Sequence, residues 1–284
     1  MKLAVSNIAW SPAHRAAVYD MLQTHGVRGL EIAPGLFFDR SADPFAPTEE
    51  ELAQAVHEAR RAGLELVSMQ ALLFGAEGAA LFGSPAEREA FRSAMLRAIA
   101  LAGRLSIPNL VFGSPRQRVV PEGMTEAEAQ ELALRSFAEL GDAARRAGTK
   151  LGVEANPAVY GTNFLTTLEE ADAFVARLDH PAVTLILDLG AMHMNGAFPR
   201  IADCVAGLTS PISHVHVSEP HLAPAPADAG QAATALTALS RRGYCGWVSI
   251  EMKQPPEPVV ATLEAALGRL QQAVGLASEE ASLT

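Results

Sequence analysis

The sequence predicts a single (β/α)8 barrel. Two observations carry that prediction. Short β-rich runs alternate with longer amphipathic runs along the whole chain, and there are eight of the former. The strand runs are mostly apolar, as burial on both faces of a parallel sheet requires. Eight alternations over roughly 250 residues match such a barrel in count and size. A doubly wound sheet is the rival, but no G-x-G-x-x-G follows the first strand run.

The strand runs are "LAVSNIA" from Leu3, "GLEIAP" from Gly29, "LELVSMQ" from Leu64 and "NLVFG" from Asn109. They continue with "LGVEAN" from Leu151, "VTLILDLG" from Val183, "ISHVHVSE" from Ile212 and "WVSIEM" from Trp247. Helical patterns lie between them. "PTEEELAQAVHEARRAG" opens on Pro47 and Thr48 with acids behind them and stops at Gly63, which are helix start and stop signals. "MTEAEAQELALRSFAELGDAARRAG" stops at Gly148 in the same way, and "LTTLEEADAFVARL" offers Thr166 or Thr167 as N-cap. "VVATLEAALGRLQQAVGL" closes the fold. No composition shift divides the chain, so one domain is expected over residues 1–275, with 276–284 a frayed polar tail. The Pro-rich stretch Glu219 to Gly230 is the longest irregular segment and should lie on the catalytic face.

The chain has 284 residues and a net charge of −10. That balance argues against nucleic acid and anionic membrane as partners, because no dense Lys/Arg cluster offsets it. The paired arginines sit near helix ends, where they complement the helix dipole. No run of eighteen apolar residues predicts a membrane span. The opening "MKLAVSNIAW" reads as a strand rather than a signal peptide. The two cysteines, Cys204 and Cys245, make no disulfide framework and suit a reducing cytoplasm. A homo-oligomer is compatible with all of this; nothing in the sequence sets the oligomeric state.

In a barrel of this kind, chemistry gathers at the C-terminal ends of the strands. Glu154 ends the fifth run, Asp188 the sixth, His214 and His216 the seventh, and Glu251 the eighth. Any one of these alone reads as a helix cap or an ion-pair partner. Four on consecutive strands read differently. Carboxylates buried together repel, and a divalent cation removes the conflict. Two Glu, one Asp and one His suit Mn²⁺, Mg²⁺ or Co²⁺, and no thiolate points to structural zinc. The two histidines of "HVH" face the same way, because strand side chains alternate. His216 lies further toward the catalytic end and is the expected ligand; His214 falls in a deeper layer.

These residues resemble the metal site of the xylose isomerase-like barrel superfamily, and within it that of sugar isomerases and epimerases. The resemblance rests on Glu154, Asp188, His216 in "HVHVSE" and Glu251 in "GYCGWVSIEM". It implies one divalent metal ion held by Glu154, Asp188, His216 and Glu251, and a small-molecule sugar or hydroxy-ketone substrate. It also implies a two-glutamate mechanism. The ion acidifies the C–H beside a carbonyl, one of Glu154 and Glu251 removes the proton, and the other returns one. A dehydratase or lyase on the same site is the alternative; a DNA-repair endonuclease is a weaker one. The latter needs further histidines ending strands three and four, where this chain has "SMQALLF" and "VFGSP". Two positions depart from the ketose 3-epimerases. Ala191 stands where a His follows the Asp by three, and Leu222 where an Arg follows the metal His by six. Both are substrate contacts in those relatives, so the resemblance carries the metal site and not the substrate.

Further polar and aromatic residues end strands on the same face and are expected at the substrate: Asn7, Trp10, Glu31, Gln70, Asn156, His193 and Lys253. Trp10 equally suits the core, Glu31 a salt bridge, and Lys253 solvent. Tyr160 and Phe164, in the long loop after the fifth strand, suit a lid. The tetrapeptide FGSP occurs twice, from Phe82 and from Phe112. In the first copy Ser84, Pro85 and Glu87 have the spacing of a capping box with proline at the first helical position. In the second, Gly113, Ser114 and Pro115 turn out of strand four, and Arg116 and Arg118 are expected at the barrel mouth, with Arg118 toward the substrate.

Overall fold

The computed structural model describes residues 1–282, with side chains through residue 280. Eight parallel strands close in chain order: β1 (Lys2–Ser6), β2 (Gly29–Ile32), β3 (Glu65–Met69), β4 (Asn109–Phe112), β5 (Lys150–Glu154), β6 (Val183–Asp188), β7 (Ile212–Ser218) and β8 (Trp247–Glu251). The ring is completed by β1 against β8, with Ala4 opposite Ser249. Between β1 and β2 lies α1 (Arg15–Thr24), and between β2 and β3 lie α2 (Pro34–Phe37) and α3 (Glu49–Arg61). Then α4 (Pro85–Leu105), α5 (Glu126–Ala147) and α6 (Leu168–Leu178) follow β3, β4 and β5. The β6–β7 crossover carries α7 (Leu189–Met194) and α8 (Ile201–Gly207); α9 (Ala229–Arg241) follows β7 and α10 (Val259–Ser282) follows β8. This is a single (β/α)8 TIM barrel.

The helix starts are built as the sequence signals. Thr48, Ser84 and Thr125 each accept from the backbone N–H three residues on, and Glu51, Glu87 and Glu128 reach back to the cap N–H. Each box satisfies two of the donors a helix start leaves unpaired. Thr167, rather than Thr166, caps α6. Gly148 takes φ +74° behind α5, a left-handed stop that glycine adopts without a Cβ penalty. The last helix, α10, continues past residue 275, where the sequence reading starts a frayed tail. Ala277 is buried there, and Thr237 on α9 donates to Glu280. Residues 283 and 284 of that expected tail lie outside the described residues. No helix among the described residues is long and apolar enough to cross a membrane.

An edge-to-face chain of phenylalanines joins α4, α5 and α6 to β4 and to the loops that precede α4 and α6. It runs Phe82, Phe164, Phe174, Phe137, Phe112 and Phe91, with ring centroids 4.9 to 6.0 Å apart. Such pairs add about 0.5–1.5 kcal/mol each beyond the area they bury. Both FGSP phenylalanines belong to this chain. Strand register then places the polar strand ends. Asp188 sits opposite His216, and Ser218 opposite Glu251.

Candidate metal centre

Each residue of the quartet arrives on a strand end. Glu154 ends β5, Asp188 ends β6, Glu251 ends β8, and His216 stands two residues before the end of β7. One ligand atom from each lies within 4.8 Å of the others. His216 is fully buried, and its Nδ1 faces the acids: 2.8 Å to Glu154 Oε1, 3.1 Å to Glu251 Oε2 and 3.8 Å to Asp188 Oδ2. Asp188 is held at both oxygens. Its Oδ1 accepts from the Ala191 N–H and caps α7, and its Oδ2 accepts from the Ser218 hydroxyl at 2.8 Å. Ser218 Oγ also accepts from the Gly190 N–H at 2.8 Å. Asn156 Nδ2 donates to Glu154 Oε2 at 3.0 Å.

The electrostatics of this cluster are conflicted. Burial pushes the Asp188 carboxyl well above the ordinary range, and the neighbouring Glu154 and Glu251 charges push it further. Burial also raises Glu251, against the opposing pull of His216. Burial works against the charged form of His216 too. The Glu251 and Glu31 charges outweigh it and raise that imidazole well above its usual value. One imidazolium leaves most of the charge of three carboxylates unmet. A hard divalent cation offsets more of it and takes oxygen and imidazole ligands, so the donor set fits such an ion.

Behind His216 lies a second layer. Its Nε2 is 3.1 Å from Glu31 Oε2, and Glu31 is fully buried. His214 Nε2 lies 3.0 Å from the same oxygen, but out of line for a hydrogen bond. Burial pushes Glu31 up, yet the two histidines, His216 foremost, together outweigh it and hold the carboxyl below its usual range. His214 is also fully buried, which lowers its pKa, so it packs as a neutral ring.

A cavity of about 630 Å³ has three of the quartet, Glu154, Asp188 and Glu251, in its lining. Gln70 and Asn156, two of the expected substrate contacts, are in its lining. Other expected contacts sit elsewhere. Asn7 is buried and brackets the Ala33 backbone, accepting from its N–H at 2.7 Å and donating to its carbonyl at 3.4 Å. Trp10 is a core residue, edge-on to Tyr19 at 6.5 Å. Glu31 lies beneath His216 and not in the cavity lining. His193 stacks on Phe198 at 3.8 Å, outside the cavity. Lys253 is exposed; its backbone N–H holds the Leu222 carbonyl. Arg118 is not at the mouth. The loop after β5 covers it, and it is fully buried over Phe112 with one bond, from Nη2 to the Leu165 carbonyl at 3.4 Å. That burial pushes its guanidinium down to about 10, which still leaves it charged at neutral pH. Tyr160 lines the cavity; Phe164 belongs to the phenylalanine chain.

Ser218, Phe74 and Gln117 also line it and escaped the sequence reading, while Glu219 and His221 belong to the stretch expected on the catalytic face without being singled out for the site. Backbone strain marks this rim. Ala71, Ser114, His221 and Leu222 are non-glycine residues with positive φ, and all four line the cavity. Such conformations cost about 1–3 kcal/mol each and gather where ligands bind.

Fold and cluster together define a TIM barrel with a candidate metal centre at the C-terminal ends of β5 to β8. The xylose isomerase-like TIM barrel family matches residues 19–272. The chain belongs to that family. No curated protein sequence matches it. Among solved structures it is similar to a 3-keto-D-glucoside 4-epimerase from E. coli, at TM-score 0.77 and 17% identity, covering 95% of this chain and 99% of that one. It is similar to an L-ribulose 3-epimerase at TM-score 0.78 and 18% identity, covering 100% and 98%. A D-psicose 3-epimerase from Clostridium cellulolyticum gives TM-score 0.73 and 16% identity over 96% and 99%.

Proposed function

We propose that this protein is a divalent-metal-dependent isomerase, of the sugar epimerase or ketose–aldose isomerase type, acting on a hydroxy-ketone by proton transfer. One observation carries the reading: Glu154, Asp188, His216 and Glu251 converge within 4.8 Å, and three of them line a cavity of about 630 Å³. The similar structures are titled as sugar epimerases, which supports it. Glu154, Asp188, His216 and Glu251 would hold the ion. When bound, it supplies positive charge that acidifies the C–H beside the substrate carbonyl and stabilises the enediolate.

The remaining steps belong to the chain. Glu154 and Glu251 stand at the two ends of the β5–β8 arc and flank the substrate. One carboxylate accepts the proton as the C–H bond breaks, and the electron pair passes into the enediolate. The other acid then donates a proton to the opposite face, which inverts that carbon. Return to the adjacent carbon gives isomerisation instead. Asn156 orients Glu154 through Oε2, and Gln70 faces the substrate from β3. No nucleic acid or membrane enters this scheme, and cytoplasmic placement accords with it.

Isotope exchange tests the reading. The protein, loaded with Mn²⁺ in D₂O, is offered D-fructose, D-psicose, D-tagatose and L-ribulose. Deuterium should enter the carbon next to the carbonyl in at least one, and EDTA should stop it. Metal-loaded protein that exchanges none of these sugars would remove proton transfer on free ketoses.

A further inference from the structure

The cavity lining mixes two chemistries. Three of its residues are carboxylates, the buried Glu154 and Glu251 and the half-buried Asp188. Ile8, Leu73, Phe74 and Leu222 are apolar, and Phe74 follows β3, across the closed barrel from β7. Phe74 is 67% exposed, and it is the one aromatic among the large exposed hydrophobics of the described residues. It is nonetheless seated: a Cβ at Gly35 would lie 3.1 Å from its ring, so the ring rests against bare backbone of α2. Across the mouth, the His221 N–H donates to the Tyr160 hydroxyl at 3.2 Å, and their rings meet edge to face at 6.3 Å. This joins the loop after β5 to the loop after β7.

Charge is one-sided. Among the described residues neither Lys nor Arg lines the cavity, while Glu219 adds a fourth carboxylate. Away from the ion that the cluster would hold, a phosphoryl or carboxylate group would find no basic side chain and one more like charge, and such juxtaposition is costly. A free sugar, polar on every side, would leave the Phe74 ring unmatched. One exposed apolar residue is ordinary in itself, but Phe74 lines a cavity and is seated on backbone, so it offers a fixed apolar face to what fills that cavity.

We infer that the substrate is uncharged and carries an apolar or aromatic substituent: a keto-glycoside with its hydroxy-ketone at the carboxylate cluster and its aglycone against Phe74. This rests on the hydroxy-ketone reading above. The neutral end of the substrate sets affinity, and the cluster does the proton transfer.

The test uses the Mn²⁺-loaded full chain with phenyl and methyl 3-keto-β-D-glucoside, and with D-fructose against D-fructose 6-phosphate. Binding is read by calorimetry and turnover by deuterium exchange. The phenyl glycoside should exceed the methyl one in kcat/KM by about tenfold or more, the scale on which apolar pockets discriminate. Phe74→Ala should collapse that ratio toward one, and Phe74→Trp should keep it. The 6-phosphate should bind more weakly than D-fructose. Equal values for phenyl and methyl, a ratio indifferent to Phe74→Ala, or tighter binding of the phosphate overturns the inference. Phenyl-selective binding sensitive to Phe74→Ala, without exchange on any sugar, upholds the apolar subsite and rejects the epimerase reading.

Discussion

His216 is gripped from both ring nitrogens: Nδ1 lies 2.8 Å from Glu154 Oε1, and Nε2 lies 3.1 Å from Glu31 Oε2. The Glu31 side is the constant one. Gln70 donates to the other Glu31 oxygen at 3.2 Å and also to Ser6. A carboxylate in that place keeps the proton on Nε2 and leaves Nδ1 to face the acids. Replacing such a partner costs roughly 10–100-fold in metal affinity. Glu31→Gln should therefore weaken Mn²⁺ binding by about that factor while the protein stays folded. Calorimetric titration checks it, and an unchanged Kd would make Glu31 a mere spacer.

The pH dependence follows from the signs of the shifts. Asp188 and Glu251 are raised in the folded protein. Their protonated forms favour the metal-free fold at low pH, and that contribution is lost as pH rises through the raised values. Glu31 runs the other way. It is lowered, so its contribution is present above its ordinary value of 4.5 and lost as pH falls toward the folded value. A divalent ion replaces the protons on Asp188 and Glu251 and relieves their repulsion. The gain in Tm on adding Mn²⁺ should be larger at about pH 8 than at about pH 5. Thermal scans at the two pH values decide it; a gain that grows in acid contradicts the assignment.

Strand ends were legible because a parallel barrel needs apolar runs, and a charged residue at the end of one stands out. Glu154, Asp188, His216 and Glu251 are found that way; period-two alternation puts both histidines on one face, and the place of His216 nearer the C-terminal end of the strand separates it from the deeper His214. Helix starts were legible because a capping box is local: Ser84 and Glu87 need nothing beyond three residues. Depth was not legible. Arg118 and Lys253 both follow strand ends, yet one is covered by the loop carrying Leu165 and the other is exposed. Their fates depend on loop backbones, including the positive φ of Leu165 and Leu222, which composition does not announce. Ser218 was within reach, since it follows His216 by two on the same strand face.

Ser218 links Asp188 to the start of α7. Its hydroxyl donates to Asp188 Oδ2 and accepts from the Gly190 N–H, both at 2.8 Å. Ser218→Ala leaves that buried N–H without its partner, which costs about 1–3 kcal/mol. It also frees one Asp188 oxygen. The variant should melt lower and bind Mn²⁺ more weakly. Equal metal affinity in the two proteins would show that Ser218 serves α7 alone.

The two FGSP copies separate stability from chemistry. In the first, Ser84 Oγ accepts from the Glu87 N–H and Glu87 returns the bond to the Ser84 N–H. In the second, Ser114 takes φ +41° and makes no cap bond, and Gly113 borders Glu154. A Cβ at Gly113 would lie 2.6 Å from Glu154 Oε2 and 3.4 Å from Asn156 Oδ1. Ser84→Ala should lower stability by about 1 kcal/mol, the usual worth of an N-cap, and leave the Mn²⁺ Kd alone. Gly113→Ala should do the reverse. Its methyl displaces Glu154 from Asn156 and His216, so metal affinity and exchange activity fall while the melting curve of the metal-free protein moves little. Paired measurement of Tm and Kd on the two variants distinguishes them. A loss of metal affinity in Ser84→Ala, or none in Gly113→Ala, would break the assignment of the second copy to the site.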